Sequence, residues 1–346
     1  MYRIFTLLFL ISAANDCLAQ NAASPVEHME FFATRELELS KKYLDYMSQV
    51  AHGNRARKME KKRQELISQI RQSLSEANRL RAYKGDATLR DAYTVYWDIL
   101  LKVFNEDYHK IVDMEEIAEQ SYDHMEAYLM AQEKAGEVLS DAQDQIEPVY
   151  NAFASRNNVR LVDNGDTKLE KKMRQVGLVN SYYYDLFLIF FKSYKQEMYV
   201  MEALNRKDLN GIEQNRSTLS RYAEEGLQRV DTIKAFKGDG SLVNACRKVL
   251  EFHKQEADKQ LPGLNDFLLK SDEFEKIRKV FEAKPASKRT QAEIDVYNKA
   301  VEDINAALAE SNKLLVAMNT GRDGVLGHWN QTRQRFMQAH VPKGSK

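Results

Sequence analysis

Apolar residues recur at steps of three and four along most of the chain, which is the pattern of amphipathic helices. The clearest such stripe starts just after Thr88 and joins eight apolar side chains into one face: Leu89, Ala92, Tyr93, Tyr96, Leu100, Val103, Phe104 and Ile111. Runs of β-branched residues are few, and the 346 residues include only five Pro and fourteen Gly. The pattern therefore predicts an all-α protein.

Long helices separated by short connections account for nearly the whole chain. The predicted helices cover approximately 28–50, 57–83, 88 onward, 115–154, 180–204, 209–236, 241–259, 290–318, and a last segment from 328. Pro148 predicts a kink or break within one of them, because proline lacks a backbone N–H. Further breaks are predicted at Gly177, at Pro262-Gly263 and in a Gly-rich turn from Gly321 to Gly327. Short connections make neighbouring helices antiparallel, as in a bundle.

One eight-residue stretch occurs twice, as AYKGDATL at 82–89 and as AFKGDGSL at 235–242, which is 153 residues later. Five of its eight positions are identical, and flanking apolar positions match at the same offset. We therefore predict two tandem antiparallel four-helix-bundle-like units that arose by internal duplication.

Both copies of the stretch contain the tripeptide Lys-Gly-Asp, which indicates a corner between two helices. Glycine just past a helix end can adopt the left-handed conformation, and a lysine in the last turn faces the negative end of the helix dipole. An aspartate after the glycine can cap the next helix by accepting from its free amides. The residues are Lys84, Gly85 and Asp86 in one copy and Lys237, Gly238 and Asp239 in the other.

Asn164-Gly165-Asp166 provides the predicted domain boundary, so the first bundle is expected at 20–163 and the second at 164–346. Residues 264–287 have no clear counterpart in the first copy. If Phe153 and Phe336 are equivalent, the second copy carries about 30 additional residues around 262–290.

The first 19 residues have the features of a secretory signal peptide. Arg3 supplies positive charge, Ile4–Ala14 form a short apolar core, and Cys17 and Ala19 stand at the −3 and −1 positions. Cleavage is predicted after Ala19, with export by the Sec pathway to the periplasm, the cell surface or the medium. Asp16 does not fit a lipid-attachment box, so the sequence leaves open whether the protein is anchored or free.

Charge and cysteine content narrow the classes of function. Lys and Arg together number 51, as do Asp and Glu, so the formal net charge is zero. This balance argues against nucleic-acid binding. No later segment is long and apolar enough to predict a transmembrane helix. After cleavage Cys246 would be the only cysteine, which excludes an intramolecular disulfide.

Two helical segments have the spacing of metal ligands. Glu106 and His109 form a Glu-x-x-His pair of the kind found in di-iron bundles. At 100° per residue, however, both point away from the apolar stripe, which favours an ordinary solvated face. His253 and Glu256 are also three apart, but no second carboxylate or histidine cluster is evident near them. We therefore predict no metal site and no cofactor.

Cys246 and His253 share one apolar stripe, which raises the possibility of a nucleophile pair. Seven residues on one helix correspond to a rise of about 10.5 Å, which is too far for direct contact. Both are predicted to be buried structural residues. No other catalytic motif is recognisable, so we expect a protein without catalytic residues.

The segment YYYDLFLIFF at 182–191 is the most aromatic part of the chain. We favour a helix buried on more than one face. The alternative is an exposed aromatic surface for an apolar ligand, a glycan or a membrane. Its residues would be Tyr182, Tyr183, Tyr184, Phe187, Phe190 and Phe191.

With its signal ending in Leu18-Ala19-Gln20, its helical body and the stretch YNAFASRNNVRLV at 150–162, the chain resembles uncharacterised bacterial surface proteins of Bacteroidota and leptospires. The resemblance implies export and surface display, but no activity that could be assigned to residues.

These observations predict an exported helical-bundle protein that serves as a non-catalytic binding or structural module of the periplasm or cell surface. Its partner would be a protein or another envelope component, and the sequence leaves the oligomeric state open. The alternative is a helical bundle that binds a metal ion, an apolar ligand or a membrane surface.

Overall fold

The structure, a computed structural model, describes residues 24–51, 56–108, 114, 117–162 and 167–342. The predicted signal peptide, the predicted boundary at 164–166 and the metal candidate His109 lie outside these ranges. Within them the chain is all-α and bundle-like, as predicted, and its only β pairing consists of two isolated bridges.

Ten α-helices, named α1–α10, account for most of the described residues. In chain order they are α1 Pro25–Ala51, α2 Ala56–Arg79, α3 Thr88–Lys102, α4 Tyr122–Asp144, α5 Ile146–Arg156, α6 Lys168–Asn205, α7 Leu209–Thr232, α8 Ser241–Gln255, α9 Leu261–Glu282 and α10 Gln291–His340. A short π-helical segment follows α3 at Val103–Asp107, and another follows α8 at Glu256–Gln260.

The chain divides into two compact units. The first extends to Tyr184 and takes in the residues from Arg335 onward, while the second comprises Asp185–Gln334. These bounds do not coincide with the predicted ranges 20–163 and 164–346. The reason is that the two longest helices, α6 and α10, contribute residues to both units.

Aromatic side chains fill the core of the first unit, where α2 packs against α1 and α3. The Phe32 ring stacks on Tyr93 with centroids 4.6 Å apart, and the Phe104 ring stacks on Tyr108 at 5.0 Å. Trp97 is completely buried beside them. Such rings bury large apolar areas, so they supply much of the driving force for this unit.

The second unit has a more aliphatic core, where α7 packs against α8 and α9. Its buried cluster comprises Val200, Leu219, Ala257, Leu261, Leu264 and Met318. The aromatic contribution comes from α6 and α10, since Phe190 stacks on Trp329 with centroids 4.6 Å apart.

The repeated corners are built differently from the prediction. Helix α2 ends at Arg79, and Tyr83 and Asp86 then exchange two backbone hydrogen bonds of 3.1 and 2.8 Å across a two-residue turn. Lys84 and Gly85, at φ 47° and 89°, form that turn. The expected glycine conformation is confirmed. The expected helix stop is wrong, and so is a lysine in the last helical turn, because the chain leaves the helix before reaching them.

The second corner has the same form. Phe236 and Asp239 exchange hydrogen bonds of 3.0 and 2.9 Å, with Lys237 at φ 51° and Gly238 at φ 88°. Each aspartate accepts from a free amide at the start of the next helix, as predicted, but it stands one residue before the N-cap, which is Ala87 or Gly240. Asp86 accepts from the Thr88 amide at 3.0 Å, and Asp239 accepts from the Ser241 amide at 2.9 Å.

Several elements correspond at the 153-residue offset of the repeat. Helix α2 matches α7, α3 matches α8, and the two π segments match each other residue for residue. Arg63 donates to the Phe104 carbonyl within the first π segment at 2.5 Å, and Arg216 donates to the Ala257 carbonyl within the second at 3.1 Å. A π turn disturbs the regular hydrogen-bond ladder, so each arginine supplies a donor to it. The duplication itself stays a prediction.

Three predicted helix breaks need correction. Helix α6 continues through Gly177, and α10 continues through Gly321–Gly327. A Cβ on Gly321 would lie 2.6 Å from the Phe252 ring, so this glycine permits close approach and does not form a turn. At Pro262 the chain also stays helical, although the second π segment comes directly before α9.

The break predicted at Pro148 is confirmed, three residues earlier than the proline. Helix α4 ends at Asp144 and α5 begins at Ile146, which places Pro148 in the first turn of α5. Proline is tolerated there because the first amides of a helix have no partner within it.

Residues 265–310 form a helical hairpin that we call the arm. It consists of most of α9, the following turn and the first part of α10, and none of its 46 residues is buried. The two helices contact each other through Phe281 and Tyr297, whose rings stack with centroids 4.1 Å apart. The arm includes most of the segment that has no counterpart in the first copy.

Replacing Gly85 or Gly238 by Val should lower the free energy of unfolding by about 1–2 kcal/mol, because a β-branched residue resists positive φ. A Cβ at either position has no atom within 4 Å, so the cost would be conformational. A Cβ on Gly136, inside α4, would also have no atom within 4 Å, and Gly136→Ala should instead stabilise by roughly 0.5–1 kcal/mol. Urea unfolding measures the stability of all three variants. A change of the same sign in all three free energies of unfolding would contradict this account.

Candidate functional site

The apolar face of α8 leads to two ionisable residues, His253 within the helix and Glu256 at the start of the π segment that follows it. Leu242, Cys246, Val249 and Leu250 precede them on that face, and all are buried. Because Glu256 lies three residues beyond His253, both side chains project from the same side of the helix. Each is completely enclosed, which calls for partners from other helices.

Helices α6 and α10 supply those partners. Ser193 and Glu197 lie four residues apart on α6, so they share one face, and both are buried. Arg322 reaches them from α10, with its side chain 17% exposed. We call Ser193, Glu197, His253, Glu256 and Arg322 the buried polar cluster.

His253 connects two of the α6 residues. The Ser193 hydroxyl donates to the Phe190 carbonyl at 3.1 Å, so its oxygen accepts from His253 Nδ1 at 2.9 Å. The other ring nitrogen, Nε2, lies 3.4 Å from Glu197 Oε2. Both nitrogens therefore face α6, which fixes the orientation of the ring.

Arg322 lies between the two carboxylates of the cluster. Its Nε donates to Glu197 Oε1, and its Nη2 donates to Glu256 Oε1 at 2.7 Å. Its Nη1 donates to Asn319 Oδ1 at 2.8 Å, one turn earlier on α10. A planar guanidinium presents several donors in fixed directions, so one arginine can bind two acids at once.

The two glutamates have opposite pKa shifts. Burial, reinforced by the nearby Glu197 carboxylate, raises the pKa of Glu256 from 4.5 to about 8 despite Arg322. Burial also acts to raise the pKa of Glu197, but His253 and Arg322 outweigh it and lower that pKa. The two shifts place the proton of the pair on Glu256 and the negative charge on Glu197, so a single negative charge faces the guanidinium.

A serine, a histidine and a glutamate in mutual contact resemble the residue set of a hydrolase triad, but the arrangement here is different. Ser193 and His253 are completely enclosed, so a substrate has no access to the hydroxyl. The hydroxyl proton is also directed to a backbone carbonyl. The geometry therefore suits a structural ion-pair network that joins α6, α8 and α10, rather than nucleophilic catalysis.

The first unit has apolar residues at three of the matching positions. At the 153-residue offset Glu197 corresponds to Leu44, His253 to Leu100 and Glu256 to Val103, all of which are buried. The serine alone is matched, by the buried Ser40. Since the first unit packs without these charges, the cluster is specific to the second unit.

A separate buried acid occurs in the first unit. Glu36 accepts from the Tyr96 hydroxyl at 3.1 Å and from Trp97 Nε1 at 3.2 Å. Burial raises its pKa to about 7 even though both hydrogen bonds act in the opposite direction. Its position corresponds to Ile189 in the second unit, so this polar contact is likewise not repeated.

Three of the four metal candidates, Glu106, His253 and Glu256, lie within the described residues. Glu106 is exposed, as predicted from helical geometry. His253 and Glu256 do have a second carboxylate nearby, Glu197, which periodicity did not predict, but Arg322 binds both acids. Within the described ranges, no group of three or more His, Cys, Asp or Glu residues is placed to hold a metal ion.

The aromatic segment 182–191 is mostly enclosed, which agrees with the favoured interpretation and not with an exposed surface. Tyr183, Phe190 and Phe191 are buried, whereas Tyr182, Tyr184 and Phe187 are half-buried. Cys246 is buried as predicted, and burial raises the pKa of its thiol to about 12, so the thiolate is strongly disfavoured.

Glu197 and Arg322 could not be predicted from periodicity, because both look like ordinary surface residues of amphipathic helices. Comparing the two copies position by position would have identified Glu197, which replaces a leucine. Arg322 has no such signal, since it contacts residues 66 and 125 positions away. In the part of the chain that is described, no helix combines the length and apolar character needed to cross a bilayer.

Arg322→Met should lower the free energy of unfolding by about 3 kcal/mol, because it leaves the enclosed Glu197 carboxylate without the donor that faces it from α10. The matched control is Arg206→Met, which breaks an ion pair whose side chains are 61% and 59% exposed. That change should cost less than about 0.5 kcal/mol. Urea unfolding followed by circular dichroism distinguishes them, and equal losses would contradict a structural role for the cluster.

Glu256 should make the protein less stable as pH rises from about 4.5 to about 8. Over this range the folded state keeps the proton that the unfolded chain releases, so raising the pH favours unfolding. Glu256→Gln should reduce this slope, since glutamine cannot lose a proton. Glu36 acts in the same direction up to about pH 7, so Glu36→Gln combined with Glu256→Gln should be flattest.

The pH dependence is measured by thermal unfolding above pH 5, where Glu197, with its lowered pKa, contributes little. Glu202→Gln, at an exposed position on the same helix as Glu197, serves as the control and should leave the slope unchanged. His28, whose pKa burial lowers from 6.5, acts in the opposite direction, so the test is the difference between wild type and Glu256→Gln. Equal slopes for these two proteins would refute the protonated state assigned to Glu256.

Comparison with family models, with curated proteins and with solved structures finds no match for this chain. The function proposed below therefore depends on the chain's own residues and geometry. The resemblance to bacterial surface proteins stays a prediction.

Proposed function

We propose that this is an exported helical-bundle protein that acts as a non-catalytic binding or structural module of the periplasm or cell surface. The observation that carries the proposal is the arm, 46 consecutive residues of helical hairpin without one buried side chain. Val280 and Val296, on its two helices, are 76% and 59% exposed. Exposed apolar surface of this kind marks sites of interaction.

The enclosed state of the buried polar cluster supports a non-catalytic role. Its serine binds His253 Nδ1 and a backbone carbonyl, and its acids bind Arg322. The serine, histidine and acids of the cluster thus hold helices together, while apolar side chains are exposed on the arm.

The tip of the arm is held in one conformation, as a binding element requires. Lys284 Nζ donates to Glu293 Oε1 at 2.6 Å across the turn, and Arg289 Nε donates to the Lys284 carbonyl at 2.9 Å. Glu293 also caps α10 by accepting from the Thr290 amide at 2.8 Å. A preorganised surface loses less conformational entropy when it binds a partner.

A second candidate function is the binding of an apolar ligand. A groove of about 490 Å³ lies near the tip, lined by Ile277, Val280, Phe281, Ala292 and Val296 together with Lys276, Lys284 and Glu293. Its volume falls within the usual range for small-molecule sites. This candidate uses the same surface, so one experiment can distinguish it from docking of a macromolecule.

We also infer that the two units descend from one duplicated bundle. Support comes from the equal lengths of matching helices, the two π segments and the arginines that serve them. On this view the arm was added to the second copy after duplication, and it is where the two copies differ most.

A photoreactive amino acid at position 280 of the full chain, produced in its native host, should form an adduct with one defined macromolecule on illumination. Position 95 is the matched control, since Val95 is 62% exposed but lies on α3. Adducts from both positions in equal yield, or from neither, would contradict binding through the arm. A lipid or small-molecule adduct from position 280 would favour the second candidate.

A further inference from the structure

The arm has an apolar face that continues along both of its helices. On α9, Leu269 and Val280 are eleven residues apart, which places them within about 20° of each other around the helix axis. On α10, the exposed Val296 and the half-buried Ala300 and Ala307 fall within about 40° of one another. Val280 and Val296 line the same groove, so the two stripes adjoin. We call these five residues the arm face.

Charge is distributed unevenly along the arm. Its distal half, residues 276–302, contains seven Lys and Arg against four Asp and Glu, a net charge of +3. Its proximal half, residues 265–275 and 303–310, contains one Lys against six Asp and Glu, a net charge of −5. The boundary between the two halves lies at the same level on both helices. Two contacts show which residues of α9 and α10 lie opposite each other: Phe281 stacks on Tyr297, and Leu264 packs near Leu314.

The charges that border the arm face follow the same distribution, basic on the distal half and acidic on the proximal half. At 100° per residue, Lys276 on the distal half lies close to the direction of Leu269 and Val280. Asp303 and Glu310 on the proximal half lie within about 40° of the direction of Val296. Their present ion pairs, such as Lys276 with Asp272 at 2.6 Å and Asp303 with Lys299 at 2.8 Å, are exposed, so they can be exchanged at little cost.

We propose that the arm face binds the arm of a second copy of this chain, with the two arms antiparallel. In that orientation each basic distal half lies on the acidic proximal half of the other copy, and the two apolar faces cover each other. The small side chains of Ala300 and Ala307 allow the helices to approach closely. This pairing rests on the proposed role of the arm as a docking element.

A second copy fits these features better than an anionic membrane does. A membrane would attract the basic distal half but repel the proximal half, and the apolar face extends over both. A two-fold axis makes the contact isologous, so one set of complementary charges satisfies both ends of the interface. A parallel pairing would instead bring like charges together at each end.

The size of the arm sets the expected strength of the dimer. Its α9 portion of 18 residues is about 27 Å long, and two helices side by side are roughly 20 Å wide. Complete overlap would bury about 1,100 Å² in total, near the lower limit for specific interfaces. We therefore expect a reversible dimer whose population rises with concentration and falls with added salt.

Sedimentation velocity of the mature full-length protein, from roughly 1 to 200 μM, should show a monomer–dimer equilibrium. Val280→Glu combined with Val296→Glu should raise the dissociation constant about tenfold or more. The control Val95→Glu, at a similarly exposed position on α3, should not change it. Circular dichroism and the melting temperature establish that each variant is folded.

Two charge-reversal variants test the antiparallel orientation. The first carries Lys276→Glu and Lys279→Glu on the distal half, and the second carries Asp303→Lys and Glu310→Lys on the proximal half. At the substituted positions, each variant alone would set like charges against each other at both ends, so each should dimerise about tenfold more weakly. Mixing the two restores opposite charges between the substituted positions of one copy and the facing positions of the other, so the heterodimer should form nearly as well as the wild-type dimer.

A wild-type protein that stays monomeric over the whole range would overturn the proposal, as would a dimer that survives the double Glu substitution on the arm face. A mixture that associates no better than its separate components would overturn the antiparallel orientation. Vesicles containing anionic lipid are tested in parallel, and a monomer that binds them through position 280 would replace the second copy with a membrane. Adducts from position 280 with an unlike protein would leave arm-mediated binding intact and refute only self-association.

Discussion

One guanidinium must satisfy two enclosed carboxyl groups in the second unit, and the alignment of three helices depends on this requirement. Arg322 can reach Glu197 on α6 and Glu256 after α8 only while these helices keep one axial register. A shift by a helical turn would leave an unpaired charge in the core, which costs several kcal/mol. Apolar packing makes the unit compact, but the ion pairs define which turn of each helix meets which.

The same register determines how the arm is supported. Helix α10 carries both Arg322 and, further toward its N-terminus, three residues of the arm face. Met318 anchors this helix in the aliphatic core, and the part without buried side chains begins just beyond Ser311. One continuous helix thus carries both the enclosed Arg322 and part of the exposed arm face. The ion pairs of Arg322 therefore give the arm a fixed support.

Local physics was predictable from the sequence, whereas long-range pairing was not. The positive φ of Gly85 and Gly238 followed from neighbouring residues alone, and the apolar stripe after Thr88 correctly identified buried side chains. The turn predicted at Gly321 was wrong because this glycine makes room for the Phe252 ring, which lies 69 positions earlier. The roughly 1 kcal/mol cost of glycine in a helix is small enough for packing to outweigh it.

The buried polar cluster was beyond the reach of periodicity for a related reason. A glutamate at position 197 and an arginine at position 322 each satisfy the pattern of a solvated helix face, and only the fold brings them together. The spacing of His253 and Glu256 correctly placed both on one face, but it did not show that Arg322 binds Glu256 there. The pattern within one helix shows which of its side chains point in the same direction, but it does not show which residues of other helices they contact.

The π segment between α8 and α9 has a consequence for the direction in which the arm presents its apolar side. Five residues, Glu256–Gln260, accommodate one residue more than a regular helix would hold over the same rise. The wide turn absorbs that residue, so the helix after it keeps the direction that a regular helix without the residue would have. Loss of one amino acid here is accommodated by closing the wide turn, whereas loss of one within α9 would turn Leu269 and Val280 by about 100° around the axis. The direction of the hairpin is thus buffered against a change of one residue at this joint and sensitive to the same change beyond it.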